Sequence, residues 1–344
     1  HIDSIVTDNF KTKKTLQEIA VKYAEKNPEG DSFTRENCLI NPLTPSLLQA
    51  AGKSKRFGSI KIQDFIHIFN NEYHQQFTAF TAYLNNDTLC IVFRGTNETI
   101  AGWKEDFDMC VLNPIPSQKD ALSYLENIAK KTRKKIQLMG HSKGGNLAIY
   151  ASAFCSRKTS KQITTVYNYD GPGFLPEVTK KKCFKHNASR VQTFVPQSSL
   201  VGLLLDHPDD YTIVQSTEKT GITQHDPFSW VLEGPHFKTV DSLTKDALFL
   251  QKTIASWLDN LTITEREHFL SVLYTIIDQT GVCSLNDFGK NWAKHSGVVL
   301  NSLRTVNRET RKIVWNIMQL FFQAVRSNIP QTNALQNFIS QFIH

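Results

Sequence analysis

The chain has 344 residues, 40% of them hydrophobic and 21% charged, and carries a formal net charge of +7. That length suits one large α/β domain with an extension, or two ordinary domains, and the composition is that of a globular protein. No run of about 18 apolar residues occurs, so no transmembrane helix is indicated. No aromatic-interleaved basic motif accompanies the charge, which argues against nucleic-acid binding.

No basic start followed by an apolar core opens the chain, so no signal peptide is expected. The cysteines (Cys38, Cys90, Cys110, Cys155, Cys183, Cys283) are scattered, without CxxC or His/Cys ligand spacing. Cys90 and Cys155 lie in apolar stretches and read as buried free thiols. A reducing, cytoplasmic setting and no metal or organic cofactor are the expectations. Basic residues cluster at Lys130, Lys131, Arg133, Lys134 and Lys135, and again at Lys180, Lys181, Lys182 and Lys185. Solvated faces are the favoured explanation, with peripheral attraction to an anionic membrane or an anionic substrate as the sharper alternative.

In chain order, Thr12 to Glu25 predicts an amphipathic helix with Leu16, Ile19, Ala20 and Tyr23 on one face. Residues 28–60, with Pro28, Gly30, Pro42, Pro45, Gly52 and Gly58, read as irregular. Phe77 to Leu84 and Thr88 to Phe93 read as strands joined by an Asn85-Asn86-Asp87 turn. Lys119 to Lys131 has helical spacing. Ile136 to Met139 is a short apolar run, followed at once by a helix-like pattern through Phe154. Ile163 to Tyr169, Arg190 to Val195 and Tyr211 to Gln215 read as further strands. Strands alternating with helices predict an α/β fold with a mostly parallel, doubly wound sheet. Ligands in such sheets bind at the carboxyl ends of strands, where Thr96, Ser142 and Asp170 fall. After about residue 245 the pattern is helical only, which divides the chain into an α/β domain over 1–245 and a helical C-terminal extension over 246–344. In that extension Thr264-Glu265-Arg266-Glu267 reads as a capping box opening a helix with Phe269, Leu270, Leu273, Ile276 and Ile277 on one face. A second helix spans about Arg308 to Arg326. Its basic start (Arg304, Arg308, Arg311, Lys312) permits an interfacial role, although packing within the protein is the favoured explanation.

The most informative stretch is Gly140-His141-Ser142-Lys143-Gly144-Gly145. It lies between a strand and a helix, the required setting of the G-x-S-x-G nucleophile elbow of α/β hydrolases. The serine of such an elbow has a strained backbone, and side chains two residues to either side would strike the neighbouring strand or helix. The helix that follows offers its free N–H groups to a developing oxyanion. Ser142 is the candidate nucleophile. A serine hydroxyl needs a histidine to take its proton and an acid to orient that histidine. The order serine, acid, histidine excludes His67 and His74. Among the downstream histidines, His225 sits in a loop after the last expected strand, where the base belongs. His141 reads as a packing residue.

Leu89 to Thr96, Trp103 with Asp106, the elbow, and His225-Asp226-Pro227-Phe228-Ser229-Trp230 together resemble the class 3, fungal-type lipases. Tyr169-Asp170-Gly171-Pro172-Gly173 and Val195-Pro196-Gln197-Ser198-Ser199 look closer still to an uncharacterised bacterial family of lipase-like α/β hydrolases. The resemblance spans roughly residues 60–235. It implies that Thr96 and Lys143 supply the oxyanion-hole N–H groups, that Arg94 braces its loop, and that Asn97 to Cys110 stands in the place of the lipase lid. The acid departs from the pattern, because the stretch matching the lipase Asp-x-Val-Pro is Ser199-Leu200-Val201-Gly202. Asp170, at the end of the strand after the elbow helix, is the preferred acid, Asp206 is the alternative, and Asp226 is too close in sequence to His225. Leu200, Leu203 and Leu204 are candidates to line an acyl pocket, with core packing an equal explanation.

These residues predict a serine hydrolase of carboxylic esters acting on a small-molecule or lipid ester, of acylglycerol or lysophospholipid type. A thioesterase or peptidase would use the same triad. A non-catalytic scaffold binding a membrane or protein partner is the rival from another class, favoured by the serine at the lipase acid position.

Overall fold

The computed structural model describes residues 13–28, 41–97, 99–207, 210–219, 221–280 and 308–328. Eight strands form one sheet whose neighbours follow chain order: β1 (Lys14–Thr15), β2 (Lys61–Asn70), β3 (Gln75–Tyr83), β4 (Thr88–Phe93), β5 (Lys135–His141), β6 (Ile163–Tyr169), β7 (Val191–Pro196) and β8 (Tyr211–Val214). β1 to β4 pair antiparallel and β4 to β8 pair parallel. The change of direction has a local cause. The Asn85 side chain accepts the N–H groups of Asp87 and Thr88 at 2.9 and 2.8 Å, closing a tight turn between β3 and β4. Beyond β4 the intervening helical segments are long enough to return the chain for parallel pairing. This mostly parallel sheet with flanking helices is the α/β-hydrolase fold, and its candidate site lies at the carboxyl ends of adjacent strands.

Helices α1 (Leu16–Lys26) and α2 (Thr44–Lys53) precede β2, and α3 (Ile100–Asp108), α4 (Pro116–Lys131) and α5 (Lys143–Phe154) follow β4. α4 and α5 lie side by side against the sheet. Their apolar faces meet the strands in a core that includes Phe93, Leu125, Ile136, Leu138 and Leu147. α4 begins three residues earlier than its spacing suggested. Pro116 occupies the first turn and the Gln118 side chain accepts the Ile115 N–H at 3.0 Å. Lys130 and Lys131, part of the first basic run, close its last turn, where positive charge is favoured.

The stretch 28–60 is not wholly irregular. Pro45 stands in the first turn of α2, where a missing N–H costs nothing, so a residue read as a breaker is a helix start. Strand β2 escaped notice because a bulge between Gln63 and Ile66, with Asp64 at φ 56°, breaks its alternation. Gly30 and Cys38 lie outside the described residues.

Among the described residues the last helices are α6 (Lys245–Asp259), α7 (Ile263–Thr280) and α8 (Arg308–Asn328). The capping box that opens α7 is Thr262 with Glu265, two residues earlier than expected. Glu265 accepts the Thr262 N–H at 2.8 Å while Thr262 Oγ1 accepts the Glu265 N–H at 3.2 Å. α8 packs on α6 and α7, with the Trp257 indole donating to Ile317 O at 3.1 Å. Arg304, Cys283 and the side chains of Ile276, Ile277, Arg308 and Val314 lie outside the described residues. No helix among those described is long and apolar enough to cross a membrane. Cys90 and Cys155 are free, the first buried and the second half-buried, and burial pushes both thiols up to about 12.

Leu138, fully buried on the central strand, provides a test of this core. Leu138→Ala should lower the unfolding free energy by about 2–5 kcal/mol. In urea titration the midpoint should fall with an unchanged m-value; a midpoint equal to wild type would contradict the packing described.

Candidate active site

β5 ends in Gly140-His141 and α5 begins at Lys143, leaving Ser142 between them at φ 57°, ψ −134°. A non-glycine residue there stores about 1–3 kcal/mol of strain and persists only where its surroundings dictate it. Here the Ser142 N–H donates to Tyr169 O at 2.9 Å, and Ser142 O accepts from Gly145 N–H at 2.9 Å. A Cβ on Gly140 would overlap the Gly144 backbone, and one on Gly144 would overlap the Phe93 carbonyl. The third glycine has its own reason, since a Cβ on Gly145 would overlap the Asn168 side chain.

Asp170 follows β6, buried and at φ 50°. Its Oδ2 lies 2.6 Å from His225 Nδ1 and its Oδ1 accepts the Ser199 hydroxyl at 2.5 Å. Ser199 Oγ also accepts the Gly202 N–H at 3.0 Å. The serine in the lipase acid position is therefore a partner of a carboxylate that comes from the neighbouring strand. A Cβ on Gly202 would overlap that carboxylate. Asp206 stands apart. It is exposed, and its backbone N–H and C=O pair with Phe174 at 2.9 and 2.8 Å. Asp226 caps a short turn through the Phe228 N–H and takes the Asn41 amide at 2.6 Å.

The loop carrying His225 is pinned through Gln224. Its side chain accepts from Ser198 N–H at 2.8 Å and donates to Glu218 O at 2.7 Å, while Gln224 O accepts the Trp230 indole N–H at 2.8 Å. Trp230 packs on Phe237, whose short strand β10 (His236–Phe237) pairs with β9 (Leu232–Glu233). His141 is more than the packing residue expected. Its Nε2 donates to the His225 carbonyl at 2.8 Å, and the two imidazole rings lie 4.5 Å apart at 34°. Burial, then the neighbouring His225, holds His141 down at about 4, so it is neutral near pH 7. No spacing rule links positions 84 residues apart, which is why the sequence did not disclose this contact.

Thr96 and Lys143 share a neighbour in Asp106. Gly95 lies so close that an added Cβ would sit 3.1 Å from Ser142 Cβ. Thr96 Oγ1 donates to Asp106 Oδ1 at 2.8 Å. The Lys143 side chain, a feature the sequence reading missed, is fully buried. Its ammonium is 2.7 Å from Glu105 Oε2 and 3.9 Å from Asp106 Oδ1. Glu105 also accepts the N–H groups of Gln76 and Ser117 at 3.0 and 2.9 Å. Burial raises the Asp106 carboxyl to about 6, against the opposing pull of Lys143 and Thr96. The expected lid is thus helix α3, with Ala101, Gly102, Lys104, Glu105 and Asp108 buried. Lifting it would separate a buried ion pair. Leu203 belongs to a core with Val195, Leu243 and Ala247. Leu200 and Leu204 are half-buried. Among the described residues, no group of three or more His, Cys, Asp and Glu side chains is placed to hold a metal ion.

Two measurements test this arrangement. Glu105→Gln leaves the Lys143 ammonium buried without its charge partner and should cost about 3–5 kcal/mol of stability in urea unfolding; a loss below about 1 kcal/mol would show the pair is solvated. His141 has a folded-state value of about 4 against an ordinary 6.5. Between those values the unfolded chain binds more protons, so the contribution of His141 is full above about pH 6.5 and lost as pH falls toward 4. The stability advantage of wild type over His141→Gln should therefore shrink over that window, by at most about 1.4 kcal/mol per pH unit. A pH-independent difference would refute the buried neutral state.

The model of the Mbeg1-like family matches residues 51–275. No curated protein matches the chain. Among solved structures, a fungal lipase–inhibitor complex is 16% identical, with 60% of this chain and 83% of that chain covered, at a TM-score of 0.37. A Rhizomucor miehei lipase propeptide complex is 17% identical, with 62% and 79% covered and a TM-score of 0.36. M37 lipase is 15% identical, with 55% and 69% covered and a TM-score of 0.32. At scores this low the likenesses carry no weight for mechanism or substrate. The family match covers most of the chain, from α2 to α7, and includes the elbow, Asp170 and His225: this chain belongs to the Mbeg1-like family.

Proposed function

We propose that the chain is a serine hydrolase that cleaves carboxylic esters through an acyl-enzyme. The observation that carries this reading is the buried Asp170 carboxylate 2.6 Å from His225 Nδ1, taken with a serine held in a strained elbow. With its Nδ1 proton on Asp170, His225 presents Nε2 as the base. Ser142 Oγ attacks the ester carbonyl and passes its proton to Nε2. Asp170 stabilises the imidazolium that forms. The backbone N–H groups of Thr96 and Lys143 hold the oxyanion, each donor contributing about 3–4 kcal/mol. As the tetrahedral intermediate collapses, His225 returns the proton to the leaving alcohol. Water then repeats the sequence on the acyl-enzyme.

Ser199 supports this reading. By donating to Oδ1 it satisfies the half of the carboxylate that His225 does not use, so serine at that position ceases to favour a non-catalytic scaffold. Esters with apolar acyl chains, including lysophospholipids, are the proposed substrates, on the resemblance of the motifs. Free Cys90, Cys110, Cys155 and Cys183 favour a reducing compartment such as the cytoplasm.

The test is fluorophosphonate labelling combined with turnover of a p-nitrophenyl ester series. Labelling and turnover should both vanish in Ser142→Ala. Asp170→Asn should lower kcat on the order of 10⁴-fold, because the imidazole loses its tautomer and orientation, whereas Asp206→Asn should match wild type. An unlabelled, inactive wild type, or a label on another residue, would overturn the proposal.

A further inference from the structure

In the helical C-terminal extension, α7 reaches back to α3. We infer that α7 is a clamp that positions the oxyanion hole through that helix, an inference that rests on the catalytic reading of Thr96 and Lys143.

Helix α3 carries the run Lys104-Glu105-Asp106-Phe107-Asp108. At about 100° per residue, Lys104 and Asp108 share one face while Glu105 and Asp106 are turned away from it. Each charge has a different partner. Glu105 holds the Lys143 ammonium at 2.7 Å and Asp106 takes the Thr96 hydroxyl at 2.8 Å, so one side of the helix touches both residues assigned to the oxyanion hole. The opposite side is gripped by α7. Lys104 Nζ lies 2.7 and 2.8 Å from the two Asp278 carboxylate oxygens. The Tyr274 hydroxyl lies 2.7 Å from Asp108 Oδ1 and 2.8 Å from Lys104 O, two acceptors for its one proton. His74 Nδ1, 3.1 Å from Asp108 Oδ2, closes the grip from the turn between β2 and β3, its ring edge-on to Tyr274 at 5.1 Å.

A helix of nine residues has too few internal hydrogen bonds to hold itself. Its position depends on what it touches. A displacement of α3 moves Glu105 and Asp106 together, and with them the Lys143 side chain and the Thr96 hydroxyl. Oxyanion stabilisation depends on donor geometry, and misplacement by about 1 Å costs on the order of 10²-fold in rate. Tyr274 and Asp278 touch no reacting atom in this scheme. They are positioning residues acting through α3.

The full chain carrying Tyr274→Phe with Asp278→Asn tests the clamp, beside Asp278→Asn alone, whose side chain is 61% exposed and whose folding is not at risk. Amide exchange over Ile100–Asp108, the amide NMR shifts of Thr96 and Lys143, and kcat and KM on a p-nitrophenyl ester are measured together. Exchange over α3 should accelerate, both amides should shift, and kcat should fall about 10- to 100-fold with KM little changed. Thr275→Ala, on the same helix with its hydroxyl bonded to Ser271 O, should match wild type. Unshifted Thr96 and Lys143 amides, or a rise in KM without loss of kcat, would overturn the inference. A wild type without Ser142-dependent turnover would overturn the hydrolase reading, and the amide shifts alone would then decide the clamp.

Discussion

A residue with a side chain held at φ 57°, ψ −134° is the constraint around which the centre of this chain is arranged. Such a conformation is costly, and the surroundings must over-determine it. Tyr169 O draws in the Ser142 amide from the adjacent strand, while Gly140, Gly144 and Gly145 leave room for the helix to start directly against the sheet. The same glycines forbid alternatives, because Phe93, Asn168 and the helix backbone occupy the volume a methyl group would need. Strand pairing, glycine placement and helix onset are therefore one feature rather than three.

Around the elbow, buried and half-buried polar groups engage one another in pairs and small networks. Lys143 meets Glu105, Thr96 meets Asp106, and Asp170 divides its oxygens between His225 and Ser199. Buried charges of this kind add little net stability, since desolvation offsets their attraction, but removing one partner is costly. Their consequence is positional. A lysine tied below the elbow cannot carry its backbone N–H elsewhere, and a carboxylate with both oxygens engaged cannot rotate away from the imidazole. Helix α3 gathers several of these partners, through Glu105 and Asp106.

The carboxylate that meets His225 comes from a different strand than the lipase resemblance implied. The stretch after β7 that resembles the lipase acid motif holds Ser199, and the carboxylate enters from the end of β6. The two strands are neighbours in parallel register, so their carboxyl ends lie side by side and either can reach the histidine loop.

The strand–elbow–helix unit and the parallel strands after it were legible in the sequence, and Ser142, His225 and Asp170 were legible as candidates, because local pattern encodes them: β-branched runs, glycines at fixed offsets, and a set order of groups. The same locality explains the failures. Pro45 and the bulged strand β2 carry signals that point away from their structure until neighbouring elements are in place, and the α7 cap slid by two residues because two threonines compete for one role. The pairing of Asp170 with His225, the tilted packing of His141 on His225, the burial of Lys143 on Glu105 and the grip of Tyr274 on α3 join residues 38 to 166 positions apart. Sequence by itself determined which chemical groups exist and which short-range shapes they favour. Only the tertiary structure decided which groups meet, because a contact between distant residues is set by the packing of whole elements and leaves no periodic trace along the chain.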